Sequence, residues 1–202
     1  MALKIFALNC SLKGGDEPSS TDRLLGELIA ELGKHGATGE IVRAADHDIK
    51  PGVKSDMGPG DAWPGLRARI MACDIFILGT PIWLGQPSSV AKRVCERMDA
   101  FISETDDRNR MPSYGKVALV AVVGNEDGAH HVSAEMFQAL NDVGFTIPAN
   151  GMTYWVGEAM GSKDYKELGA TPKTVARANQ MAAASAAHLA NLLKAQEYPG
   201  FA

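Results

Sequence analysis

The chain has 202 residues, 46% hydrophobic and 22% charged, enough for one globular domain with a substantial core. A formal net charge of −4, from 20 basic and 24 acidic residues, excludes the broad basic footprint of a nucleic-acid or anionic-membrane binder. Three widely spaced cysteines, Cys10, Cys73 and Cys95, exclude a disulfide framework and fit a reducing compartment.

Residues 3–8 form an apolar run of strand length, entered at once from Met1 with no leader-like pattern before it. A polar, glycine-containing loop follows, and then Leu24, Leu25, Leu28, Ile29 and Leu32 recur at helical spacing as far as Gly36. A second strand is expected at 40–45, an irregular stretch at 46–64 and a short helix at 66–72. The continuously apolar run at 74–79 is the pattern of a strand covered on both faces. Val90, Val94, Met98 and Phe101 mark the next helical face, and 116–123 is another buried-strand run. Val132, Met136, Leu140 and Val143 define a helix that stops at Gly144, and 145–156 contains the fifth strand. An alanine-rich helix at 171–194, with Pro172 near its first turn, completes the alternation. No apolar stretch reaches the roughly 20 residues of a membrane helix, so one cytoplasmic domain over 1–202 is expected.

This alternation predicts an α/β fold: a doubly wound, five-stranded parallel sheet with helices on both faces. Ligands in such sheets sit outside the carboxyl ends of the strands, where strand order reverses. Three loops therefore matter. The first, 9–21, places Ser11, Lys13, Ser19, Ser20 and Thr21 between a strand and a helix start, where free backbone N–H groups and hydroxyls can hold a phosphate. The same hydroxyls can equally serve as helix caps, and neither a Walker loop nor a Gly-x-Gly-x-x-Gly follows the first strand. The second, 80–89, carries Thr80, Pro81, Ile82, Trp83, Leu84 and Gly85, and a tryptophan between two prolines offers a flat face to a planar ligand. The third, 124–131, holds Gly124, Asn125, Asp127, Gly128 and His131, with Asn125 or Asp127 as alternative helix caps. Adjacent His130 and His131 point about 100° apart on a helix, so a shared metal ion is not expected.

At these residues the chain resembles the NAD(P)H-dependent FMN reductase and flavodoxin-like oxidoreductase family. The block from Ala72-Cys73-Asp74 through Gly79-Thr80-Pro81-Ile82-Trp83-Leu84-Gly85 to Lys92 carries most of that resemblance. It implies that Ser11, Lys13, Ser19, Ser20 and Thr21 hold the phosphate of FMN, and that Thr80 to Gly85 flank its ring. Gly124, Asn125, Asp127 and Gly128 would meet the other ring edge; independently of the resemblance, the place of His131 near a helix N-terminus suits hydrogen bonding to a flavin edge or a nicotinamide. The implied reaction passes hydride from NAD(P)H through flavin N5 to a quinone, free flavin or similar small acceptor, without a dedicated catalytic side chain. The alternatives are an electron carrier that docks to protein partners, disfavoured by the mild charge balance, and a flavin-free scaffold.

Tyr154 and Trp155 either cover the substrate face, with Met152 and Met160 nearby, or merely cap the sheet edge. Small residues in the last helix suggest close packing against a second copy, giving a homodimer or larger homo-oligomer. Two features depart from relatives of this kind. Gly15-Asp16-Glu17 lengthens the first loop, so its acids must turn outward, and residues 49–55 lack the cysteines that would hold an iron–sulfur cluster.

Overall fold

A computed structural model describes residues 2–159 and 161–201. Five parallel strands form the sheet: β1 (Leu3–Asn9), β2 (Ala37–Arg43), β3 (Ile75–Trp83), β5 (Val117–Gly124) and β6 (Met152–Val156), in the order β2-β1-β3-β5-β6. A two-residue strand, β4 (Gln86–Pro87), folds back antiparallel on the end of β3. This is the flavodoxin-like order, with its reversal between β1 and β3.

Helices α1 (Ser20–Gly33) and α5 (Lys173–Ala195) cover one face, where Leu24, Leu25, Leu28 and Leu32 meet Ile5, Ile75, Ile77 and Leu119. Helices α2 (Trp63–Ala72), α3 (Ser89–Met98) and α4 (Ala129–Asp142) cover the other, through Trp63, Val94, Met98, Val132, Met136 and Leu140. Every β5 residue from Val117 to Val123 is buried, as a strand enclosed between two helical layers requires. Ala182, Ala183, Ala186, Ala187 and Ala190 of α5 are buried within this same core, which accounts for those small residues without a second subunit.

Several boundaries differ from the sequence expectation for definable reasons. β2 begins at Ala37, ahead of residue 40, because pairing with β1 outweighs the poor strand propensity of Thr38 and Gly39. A Cβ on Gly39 would lie 2.1 Å from the Ile5 carbonyl oxygen, so only glycine fits there. β3 runs through Trp83, making Thr80, Pro81 and Ile82 strand residues, and the expected loop reduces to a hairpin turn at Leu84-Gly85. Neither Asn125 nor Asp127 caps α4: the cap residue is Gly128, at φ 122°, with no side-chain hydrogen bond. The irregular stretch after β2 is organised by Asp61, whose carboxylate accepts from the backbone N–H groups of Met57 and Trp63 and from Arg97 of α3.

Candidate active site

Strand register brings the carboxyl ends together: Asn9 pairs with Gly79, Pro81 with Val123, and Val123 with Trp155. Across this edge lies a cleft of about 190 Å³ lined by residues from four strand ends. Its polar end holds Ser11, Lys13, Ser19, Ser20 and Thr21, and its apolar walls are Leu12, Pro81, Ile82, Trp83, Val123 and Trp155. A larger cavity, about 540 Å³, opens at the opposite edge beside Asp74, Arg110 and Lys194. There the charges already pair, Arg110 with Glu197 at 2.7 Å and Lys194 with Asp74 at 2.8 Å, so the carboxyl-end cleft is the better ligand site.

The polar end is built around Asn9, whose side chain is buried at the end of β1. Its carbonyl oxygen accepts from Ser11 N–H at 2.8 Å, and its amide donates to Ser19 and Asp22. Ser19 caps α1 by accepting from Asp22 N–H, which leaves the Ser20 and Thr21 N–H groups without protein acceptors among the described residues. Thr21 also lines the cleft, and its hydroxyl has no hydrogen-bond partner among the described residues. Helix capping and anion binding are thus compatible: one hydroxyl caps, and the Ser20 and Thr21 N–H groups of the first helical turn remain free beside the cleft. Arg43 bonds Asp22 and the carbonyls of Gly14 and Gly15, and Asp46 accepts from Gly15 N–H at 2.6 Å. The lengthened loop is therefore pinned to the end of β2, with Asp16 and Glu17 exposed to solvent. Gly79 permits the close seat of α1, since a Cβ there would lie 2.8 Å from Leu25 and 2.9 Å from Thr21.

Trp83 stands on the β3 hairpin with 53% of its surface exposed, and Trp155 lines the same cleft from β6, backed by Tyr165 at 5.4 Å between ring centroids. Thr80, Leu84 and Gly85 do not line the cleft. The Thr80 hydroxyl is buried, accepting from Ser88 N–H and holding the hairpin to α3. The N–H groups of Leu84 and Gly85 donate to the Glu126 carboxylate at 3.0 and 3.2 Å, so they are already engaged. Gly128 packs on that turn, where a Cβ would lie 2.9 Å from Gly85 Cα. Gly124 and Asn125 do line the cleft, and the Asn125 amide donates to the Gly161 carbonyl. Asp127, Gly128, His131 and Tyr154 line a separate shallow cavity, where the His130 ring meets Tyr154 edge-on at 5.2 Å. His131 instead faces Glu135 at 2.8 Å and Gln86 at 3.1 Å.

Alternation along β6 explains the separation of Tyr154 from Trp155: they project to opposite faces of the sheet. Met152 belongs with Tyr154 and Phe137, away from the cleft, and Met160 lies outside the described residues. Sequence reasoning missed Asn9, Asp164 and Tyr165. Nothing local in the sequence marks the last two, because the segment after β6 reaches the cleft only through tertiary contacts.

An α/β cleft at the strand carboxyl ends, with free helix N–H donors at one end and two tryptophans on its walls, is the arrangement of the flavodoxin-like class. The sequence profile of the NADPH-dependent FMN reductase family matches residues 3–161, and the chain belongs to that family. Proteins matching this profile are described as NADPH-dependent FMN reductases.

Among its relatives, the 8-demethyl-8-aminoriboflavin-5'-phosphate synthase of Streptomyces davaonensis is 32% identical over 98% of this chain and 81% of its own length. The crystal structure of RosB with a bound 8-demethyl-8-formylriboflavin-5'-phosphate intermediate superposes with a TM-score of 0.90 at 31% identity, covering 98% of this chain and 82% of that one. A Mycobacterium bovis divalent metal cation transporter, MntH, is 36% identical over 83% of this chain, which spans only 25% of that protein's length. Among the described residues, no helix is long and apolar enough to cross a membrane.

Proposed function

We propose that the cleft between β1, β3, β5 and β6 holds FMN, and that the enzyme passes reducing equivalents from NAD(P)H to a small planar acceptor such as a quinone or free flavin. The reading is carried by the unpartnered Ser20 and Thr21 N–H groups standing at the end of an apolar slot walled by Trp83 and Trp155. Donor chemistry and shape both fit: hydroxyls, a lysine and helix N–H groups suit a phosphate, and flat aromatic walls suit a tricyclic ring. Bound FMN supplies reversible two-electron transfer.

The chain's own residues supply the rest. Ser11, Lys13, Ser20 and Thr21 bind the phosphate, while Ser19 and Asn9 hold that loop in shape. Pro81, Ile82 and Val123 exclude water from one side of the slot, and Gly124 and Asn125 offer backbone and amide groups to a polar ring edge. Trp155, fixed by Tyr165, orients whatever planar molecule enters beside it. Thr80, Leu84, Gly85 and Gly128 act indirectly, by fixing the hairpin that carries Trp83. The purified protein should show a flavin absorption band that NADPH or NADH bleaches, with sustained turnover when a quinone is added. Colourless protein without affinity for added FMN would sink the proposal, and a bound flavin that is neither bleached nor turned over by either nicotinamide would favour the electron carrier.

The relation to the aminoriboflavin-phosphate synthase over nearly the whole chain supports a second reading, in which a flavin phosphate is itself the molecule transformed. Mass spectrometry of flavin recovered after turnover separates the two. An unchanged mass fits a cofactor, and an altered mass fits a substrate.

A further inference from the structure

We propose that Lys166, carried by the segment between β6 and α5, is a second cation of the phosphate cradle, so that the site selects the 5'-phosphate form of the flavin over the unphosphorylated form. The inference rests on the flavin reading above. Lys166 N–H donates to the Ser20 hydroxyl at 3.1 Å, which puts the residue directly against the first turn of α1. Its ammonium is held by Asp164 at 2.8 Å, and Asp164 lines the cleft together with Ser20 and Lys13. The segment is fastened down. Arg23 of α1 donates to the carbonyls of Tyr165 and Leu168 at 2.9 and 2.6 Å, and the buried Tyr165 donates its hydroxyl to Glu27.

Lys13 also lines the cleft, its ammonium reaching the Pro18 carbonyl at 3.4 Å. The two lysines influence one another. The Lys166 ammonium is the main cause holding Lys13 below the usual lysine range, while Asp164 holds Lys166 above it. Lys13 and the free helix N–H donors offset part of a phosphate's charge, and the Lys166 ammonium, turned from Asp164 toward the cradle, would add a second charge-assisted donor. Asp164 keeps the Lys166 ammonium beside the cradle, ready to turn to a phosphate.

The test is equilibrium binding of FMN and of riboflavin, followed by quenching of flavin fluorescence, in the full-length protein and its Lys166→Met and Lys166→Arg variants. Wild type should prefer FMN. Lys166→Met should weaken FMN binding roughly tenfold, as loss of a charge-assisted contact does, with riboflavin binding within twofold of wild type. Lys166→Arg should restore most of the preference, and the salt dependence of FMN binding should be shallower in the Met variant. Unchanged FMN affinity in Lys166→Met, or an equal loss for both flavins, would overturn the proposal and leave Lys166 a structural strap. A wild-type protein that binds neither flavin would instead overturn the flavin reading.

Discussion

The Asp61–Arg97 pair shows what one residue does far from the cleft. Both side chains are fully shielded from solvent, and Arg97 also donates to the carbonyls of Lys50 and Lys54, so the pair ties α3 to the irregular stretch before α2. The Arg97 guanidinium holds the Asp61 carboxyl well below the usual carboxylate range, outweighing the opposing effect of burial. Because the folded value lies below the unfolded value of about 3.9, this stabilisation is complete above roughly pH 5 and is lost as pH falls through the folded value. Asp61→Ala strands a buried guanidinium, and urea denaturation at neutral pH should show a loss of about 3–5 kcal/mol. The variant's stability should also fall less steeply below pH 4. A loss under about 1 kcal/mol would mean that water replaces the carboxylate.

At the scale of an element, the β3–β4 hairpin carries Trp83 on a turn whose two central residues, Leu84 at φ 54° and Gly85 at φ 74°, both have the positive φ of a type I′ turn. Leucine is costly in that region, and Leu84 is 92% exposed, so no packing within the chain offsets the strain. Leu84→Asn restores the preferred Asn-Gly turn and should stabilise the fold by on the order of 0.5–1 kcal/mol, read as a raised melting temperature. The turn is clamped by Glu126 through two N–H donors, and by the close approach of Gly128. Glu126→Ala should loosen the wall bearing Trp83 and weaken FMN binding by roughly threefold to tenfold with little change in melting temperature. An unaltered FMN titration would show that the hairpin holds its place without the clamp.

Over the whole molecule, two helical layers seal the sheet and its thiols. Burial pushes the Cys73 and Cys95 thiols up to about 12 and raises Cys10 as well. A thiol reagent at pH 8 should therefore find almost no reactive thiolate in native protein and all three cysteines after denaturation. Cys95, the one partly exposed, should react first. A stoichiometric burst in the native state would show that a layer opens readily.

Much of this design is local in origin and therefore legible in the residues. Runs such as 74–79 and 116–123 must be covered on both faces, helical periodicity supplies the covering layers, and a hydroxyl-rich loop before α1 marks the polar end of the cleft. Trp83 and Trp155 were likewise identifiable as exposed or edge aromatics. Strand register and tertiary packing decided the rest. Register placed Trp155 in the cleft and Tyr154 outside it, while packing engaged the Leu84 and Gly85 N–H groups with Glu126 and brought Lys166 back to Ser20 from 146 positions along the chain. Periodicity reports which face of an element is buried, but only the packing of distant elements determines which polar groups remain free to meet a ligand.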